Sequence, residues 1–272
     1  MTIVESIKEV LASYKQGLTS RDIYSKIIEK SLFTFGAADP VGVVNSQIRR
    51  RCVGLDFPTS YPDKQFVIIG YDGKRPKYAL IGDETENKPG NVSQRKESNS
   101  DRLPEEIIVE ALGRHVKTIK NQIIERILSN SHAFFERLVV DLLIKMGYGY
   151  DEKSGFVTGR SHDGGIDGII FEDNLGLDRI YIQAKRYAPE NTVGREALQA
   201  FVGAMEDVNK GVFITTSHFT KEAIKYADKQ QQKNIKLIDG MLLADLLVRF
   251  EVGISTVQIV KLHRIDSDYY GE

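Results

Sequence analysis

Residues 82–102, GDETENKPGNVSQRKESNSDR, hold almost no apolar side chains. A run of that composition buries too little surface to offset the entropy of ordering it, so no core can be built through it. It divides the 272-residue chain, and each side has to supply its own core. The expected organisation is a small domain over residues 1–82, a flexible linker over 83–103 and a larger domain over 104–272.

The first part reads as three short helices and a hairpin. Ile3, Ile7, Val10, Leu11 and Tyr14 form one helical stripe. Thr19 or Ser20 caps a second helix that turns Ile23, Ile27 and Ile28 inward. In ADPVGVVNSQIRRRC, Asp39 is placed as a cap and Pro40 at the first helical position. KQFVIIGYDGKRPKYALIG is strand, turn, strand, with Asp72-Gly73 at the turn. That order is the order of a winged helix-turn-helix. Arg49, Arg50 and Arg51 close its third helix, and Lys74, Arg75 and Lys77 surround the hairpin tip. Both groups suit contacts to nucleic-acid grooves or phosphates. Basic residues at a helix C-terminus also complement its dipole, so the composition leaves both readings open.

The second part reads helix, three strands, helix, strand, helix, strand, helix. Residues 104–147 are expected as two helices broken near Ser129-Asn130-Ser131. Strand signals follow at GFVTG, IDGIIF and RIYIQAK, then GVFITTS and IKLID alternate with helices. Alternation of that kind predicts parallel pairing in the later strands and an α/β domain with a mixed sheet flanked by helices.

The chemistry concentrates in GRSHDGGIDGIIFEDNLGLDRIYIQAKRY, residues 159–187. Side chains alternate along a strand, so Ile180, Ile182 and Ala184 face the core, while Gln183 and Lys185 share the other face. Asp167 begins the preceding strand beside Gly164, Gly165 and Gly168, which keep its surroundings open. The hairpin brings Asp167 alongside Gln183 and Lys185. An acid, an amide oxygen and the carbonyl of Ala184 are the oxygen ligands that a hard cation such as Mg²⁺ takes, and Lys185 beside them suits phosphodiester hydrolysis. Glu136, on the helix before the sheet, offers a second carboxylate. Arg186 and Arg195 flank the site as phosphate contacts, and His162 is a loop residue near the acids. Thr215, Thr216 and Ser217 are either phosphate contacts or the cap before the helix at residue 220. Taken singly, each has a blander reading: an Asp among glycines is usually a turn residue and a strand-ending Lys a solvated charge.

As a set, these residues resemble a known family. Asp167 followed by Gln183-Ala184-Lys185 resembles the signature of the PD-(D/E)xK nuclease superfamily in its Gln variant. FERLVVDLLIKMGY, DGGIDGII, IYIQAKRY, LQAFVGAM, GVFITTSHFTKEA and IKLIDGMLLADLL, in that order over about 130–253, resemble the catalytic domain of Mrr-like restriction endonucleases. The N-terminal ESIKEVLASYKQGLTSRDIYSKI and NSQIRR more weakly resemble the HARE-HTH group of winged helices.

The resemblance implies a metal-dependent endonuclease acting on double-stranded DNA, in restriction of foreign and often methylated DNA. It implies Asp167 and Gln183 at the metal, Lys185 as a catalytic residue and Glu136 as the acid of the first core helix. Mg²⁺ is the expected ion, with Mn²⁺ as a substitute. Cleaving both strands with one site per chain implies a homodimer or higher homo-oligomer. Two rival readings are a DNA-binding regulator that keeps a nuclease fold, against which the complete Asp, Gln and Lys set speaks, and a structure-specific nuclease such as a junction resolvase.

Bulk composition fits these expectations. The formal net charge is -1 with 28% charged residues, which excludes a globally basic binder but not local basic patches. Cys52 is the sole cysteine, so no intramolecular disulfide forms. No stretch approaches the roughly 18 apolar residues of a membrane span, and the first residues lack a signal-peptide pattern. A cytoplasmic location is expected. Limited proteolysis should cut first within residues 82–102 and release two folded fragments; resistance there would contradict the two-domain reading.

Overall fold

The structure is a computed structural model that describes residues 1–82, 101–158, 165–206, 208–266 and 269. Most of the expected linker (residues 83–100), His162 and Gly164 lie outside the described residues. The chain forms two compact units, Met1–Arg114 with Val260–Glu272, and His115–Ile259.

In the first unit, helices α1 (Ile3–Ala12), α2 (Ser20–Glu29) and α3 (Pro40–Arg50) precede strands β1 (Phe66–Asp72) and β2 (Arg75–Leu80). Local chemistry sets the helix starts. Thr2 and Thr19 each cap a helix reciprocally with an acid three residues on, Glu5 and Asp22. Asp39 caps α3, with Pro40 in its first turn. The apolar stripes meet in a core of Ile7, Val10, Leu11, Ile23, Ile27, Val44, Ile48, Phe66 and Tyr78. The antiparallel hairpin turns between Asp72 and Arg75, where Gly73 takes a left-handed φ of 61°. A bridge from Leu18 to Tyr78 ties it to the loop before α2.

The first unit extends further along the chain than residue 82. A long helix, α4 (Pro104–Ser129), begins within it. Arg49, only 1% exposed, donates from Nε to Glu106 Oε1 at 2.6 Å and from Nη2 to Glu106 Oε2 at 2.7 Å. Its Nη1 also reaches the Tyr78 hydroxyl at 3.1 Å. Arg50 pairs with Glu105 at 2.7 Å, and Asn45 donates to the Asp101 carbonyl at 2.8 Å. These bonds tie residues 101–106 to α3, so the division falls at Arg114 and not at residue 103. The segment from Val260 onward also groups with the first unit, where the sequence assigned it to the second domain.

The second unit is an α/β fold. It comprises the rest of α4, α5 (His132–Lys145), β3 (Gly155–Val157), β4 (Gly168–Phe171), β5 (Arg179–Lys185), β6 (Thr192–Val193), α6 (Arg195–Ala204), β7 (Lys210–Thr215), β8 (His218–Phe219), α7 (Lys221–Asp228), β9 (Asn234–Ile238) and α8 (Gly240–Arg249). Ser131 caps α5 and separates it from α4, as the sequence predicts.

The main sheet runs β3-β4-β5-β7-β9, antiparallel across its first two pairings and parallel across the last two. Helices α5 and α8 cover one face, packing Phe135, Val139, Leu142, Leu243 and Leu247 on Ile170, Ile180, Ile182 and Ile214. Helices α6 and α7 cover the other, around Phe201 and Phe213. The expected mixed sheet is therefore present. The two-residue parallel pairing of β6 with β8 is too short to leave a sequence signal. Among the described residues no helix is long and apolar enough to cross a membrane.

The buried Arg49–Glu106 pair yields a stability prediction. Glu106→Ala leaves the Arg49 guanidinium buried with its carboxylate partner gone and should cost about 3–5 kcal/mol. Arg51→Ala, half-buried and not engaged with an acid, should cost under about 1 kcal/mol. Urea denaturation of both variants checks the contrast; equal losses would contradict it.

Candidate active site

The site is assembled on the β4–β5 hairpin. Gly168 pairs with Ile182, which sets Asp167, just before β4, against Gln183. The Asp167 N–H donates to the Ile182 carbonyl at 2.8 Å, and Asp167 Oδ2 accepts from the Ala184 N–H at 2.8 Å. The carboxylate is thus fixed on the edge of β5. Gly168 makes room for this approach, since a Cβ there would lie 2.9 Å from Val140 of α5.

Alternation along β5 follows the sequence expectation. Ile180, Ile182 and Ala184 enter the core beneath α5 and α8, while Tyr181 packs on the α6–α7 side. Gln183 is 4% exposed, and its Oε1 is buried with no hydrogen-bond donor among the described residues. Gly165 makes this placement possible. Its φ is +94°, and a Cβ would sit 2.4 Å from Gln183 Nε2. A buried carbonyl oxygen with no donor is costly unless something electropositive meets it.

The electrostatics converge on the same point. Burial pushes the Asp167 carboxyl above its ordinary range, opposed by the Ala184 N–H and the charges of Lys185 and His132. Burial also raises Glu136, reinforced by the charge of Asp167 and opposed by His132 and Lys185. Asp167, Glu136, Lys185 and His132 therefore share one field. His132 was not anticipated from the sequence. It stands one turn before Glu136 on α5, an i,i+4 spacing that puts both on one helix face.

Among the described residues no three His, Cys, Asp or Glu side chains gather into a metal site. The oxygen set here is two carboxylates with the orphaned amide oxygen of Gln183, and that set fits a hard divalent cation.

Other expected contacts are placed differently. Thr215, Thr216 and Ser217 are buried: Thr215 Oγ1 donates to the Lys185 carbonyl at 2.8 Å, and Thr216 Oγ1 to that of Tyr187 at 2.6 Å. They brace the end of β5 against β7, and Thr220 is the residue that caps α7. Arg186 Nη1 donates to the Leu128 carbonyl at the end of α4. Arg195 lies 5.3 Å over the Tyr226 ring. In the first unit, Lys74 and Arg75 are exposed and Lys77 half-exposed, whereas Arg49 is withdrawn from any surface by Glu106 and Tyr78. That corrects the expectation that Arg49 meets DNA.

Comparison with known proteins decides the family. Residues 127–247 match a family described as restriction endonuclease, Mrr_cat. The chain is 35% identical over 228 residues to the type IV methyl-directed restriction enzyme EcoKMrr of Escherichia coli K12, covering 80% of this chain and 72% of that one. The chain belongs to the Mrr family of restriction endonucleases.

It is accordingly a DNA-cleaving hydrolase. Among solved structures, it is similar to the endonuclease MspJI in complex with a 27-mer oligonucleotide, at 22% identity and a TM-score of 0.37 over 59% of this chain and 36% of that one. It is also similar to the modification-dependent endonuclease AspBHI, at 18% identity and a TM-score of 0.42 over 73% of this chain and 60% of that one. Restriction endonucleases typically work with a divalent metal ion, and the Asp167–Gln183 oxygen set accords with that.

The raised Asp167 carboxyl carries a stability consequence. Its folded-state pKa lies above the unfolded value, so the folded form loses stability as pH rises through that interval. The penalty is complete above the folded pKa and absent below about pH 4. In chelator at pH 8, Asp167→Asn should raise the Tm by about 3 °C for each kcal/mol relieved. The gain should shrink as pH falls toward the unfolded value. A lower Tm for Asp167→Asn at pH 8 would contradict this account.

Proposed function

We propose that this Mrr-family enzyme hydrolyses phosphodiester bonds in double-stranded DNA at Asp167, Gln183 and Lys185, in restriction of modified, including methylated, foreign DNA. The observation that carries the site is the buried Gln183 Oε1, unpartnered among the described residues, across the β4–β5 pairing from Asp167. Methyl direction is what the name of the E. coli relative states of that protein, and it supports methylated DNA as the substrate here.

Asp167, Gln183 Oε1 and the Ala184 carbonyl would hold Mg²⁺, for which Mn²⁺ substitutes. The Ala184 N–H points at Asp167, and a strand residue's carbonyl leaves from the same edge as its N–H. Held there, such an ion would supply a more acidic water and a polarised phosphate. Lys185 carries its ammonium beside the carboxylates, where it orients the attacking water and offsets charge developing on the phosphoryl oxygens. Glu136, its pKa raised, accepts a proton more readily than an ordinary carboxylate and takes the one the water releases.

The first unit supplies the grip on duplex DNA. Lys74, Arg75 and Lys77 at the hairpin contact phosphate, together with Arg51 and, on release from Glu105, Arg50. Arg186 stays at the nuclease site as a brace with its Nε buried, which leaves Nη2 as its group for phosphate. A homodimer in the cytoplasm completes the reading, since two sites are needed to cut two strands.

Cleavage of methylated and unmethylated plasmid, with and without Mg²⁺, is the direct test. The methylated plasmid should be cut, and chelator should stop it. Asp167→Asn should be inactive. Lys185→Ala should lose about 10²–10³-fold in rate. Gln183→Glu, which keeps the oxygen and adds charge, should stay partly active. An active Asp167→Asn enzyme would move the chemistry elsewhere in the chain.

A further inference from the structure

Four arginines of the first unit fall into two classes. Arg49 and Arg50 are compensated by Glu106 and Glu105. Arg51 and Arg264 are not. Arg51, at the end of α3, places its guanidinium carbon 3.9 Å from the centre of the Tyr61 ring. Arg264, two hundred residues further on, places its own 4.7 Å from the same centre. Arg51 Nη1 donates to the carbonyl and side-chain oxygens of Gln47, and Arg264 Nη1 to the Ser60 carbonyl at 3.5 Å. Among the described residues neither meets a carboxylate. The segment that delivers Arg264 also exposes Lys261 and His263, with Leu262 half-buried, and it reaches the exposed Asp266 at its end.

Two guanidinium groups held against one ring repel each other, and among the described residues no acid is bonded to either. Stacking satisfies their flat faces and leaves N–H edges directed outward in the fork that matches a phosphate. Charge density of this kind, in a chain whose net charge is only -1, is a place prepared for an anion.

We propose that Arg51, Tyr61 and Arg264 form a composite clamp for a backbone phosphate of duplex DNA, and that the segment 260–266 is part of the DNA-binding unit. This rests on the reading above that the first unit grips DNA. It adds a contact that chain order hides, because Arg264 lies beyond the whole nuclease unit.

The test measures binding of a duplex oligonucleotide without divalent metal, in an Asp167→Asn background so that no cleavage intervenes, at several salt concentrations. Arg264→Ala should bind several-fold more weakly and lower the slope of log affinity against log salt by about 0.9, the loss of one phosphate contact. Tyr61→Ala should behave alike, while Arg264→Lys should keep the slope and Tyr61→Phe both slope and affinity. An Arg264→Ala protein with unchanged slope and affinity overturns the clamp alone. A fall in Tm with an unchanged slope also overturns it, by making the cluster a structural brace. A background protein with no affinity for DNA overturns both the clamp and the DNA-gripping role it rests on.

Discussion

The hydrogen bond from the Ala184 N–H to Asp167 Oδ2 is the contact on which the proposed site depends. It fixes one carboxylate at the edge of β5, and the pairing of β4 with β5 then sets Gln183 directly against it. The sheet under this point is braced from three sides: α5 through Val140 at Gly168, β7 through Thr215 and Thr216, and α4 through Arg186. None of these braces is reactive. They hold a carboxyl and an amide oxygen in surroundings dry enough to raise the acid's pKa, an arrangement that costs stability unless a cation relieves it.

The first unit shows the opposite use of charge. Arg49 on α3 is spent on structure, forked onto Glu106 and bonded to the Tyr78 hydroxyl of the hairpin. One buried side chain thus joins α3, β2 and the start of α4. Glu105 beside it is pushed upward by burial, but the hydrogen bonds and charge of Arg50, with the Thr59 hydroxyl, outweigh that and hold it below its ordinary range. A row of three arginines, alike in sequence, therefore divides into a buried brace, a half-buried ion pair and a stacked cation.

Much of this was legible in the sequence. The β5 strand announces its two faces because Ile180, Ile182 and Ala184 alternate with Tyr181, Gln183 and Lys185; the packing follows that alternation, although Gln183 is buried too. The cap at Asp39 and the helix break near Ser131 were readable because helix ends are set by local chemistry. What escaped depended on partners distant in the chain. Nothing near Arg49 distinguishes it from Arg51, since Glu106 lies 57 residues away across the polar run. The hydroxyls of Thr215 and Thr216 looked free to meet phosphate, because strand pairing alone brings the Lys185 and Tyr187 carbonyls to them. His132 could have been found, as its spacing from Glu136 is visible in SHAFFE, yet a lone histidine at a helix start carries little weight without the fold.

The central claim is that Asp167 and Gln183 are a cation's ligands and that Lys185 is not. Calorimetric titration of Mn²⁺ into the intact protein and three variants tests it most directly, because it reads binding without cleavage. The account predicts affinity strongly reduced in Asp167→Asn, largely kept in Lys185→Ala and increased in Gln183→Glu, where a carboxylate replaces the amide. Equal affinity in the intact protein and Asp167→Asn would contradict it.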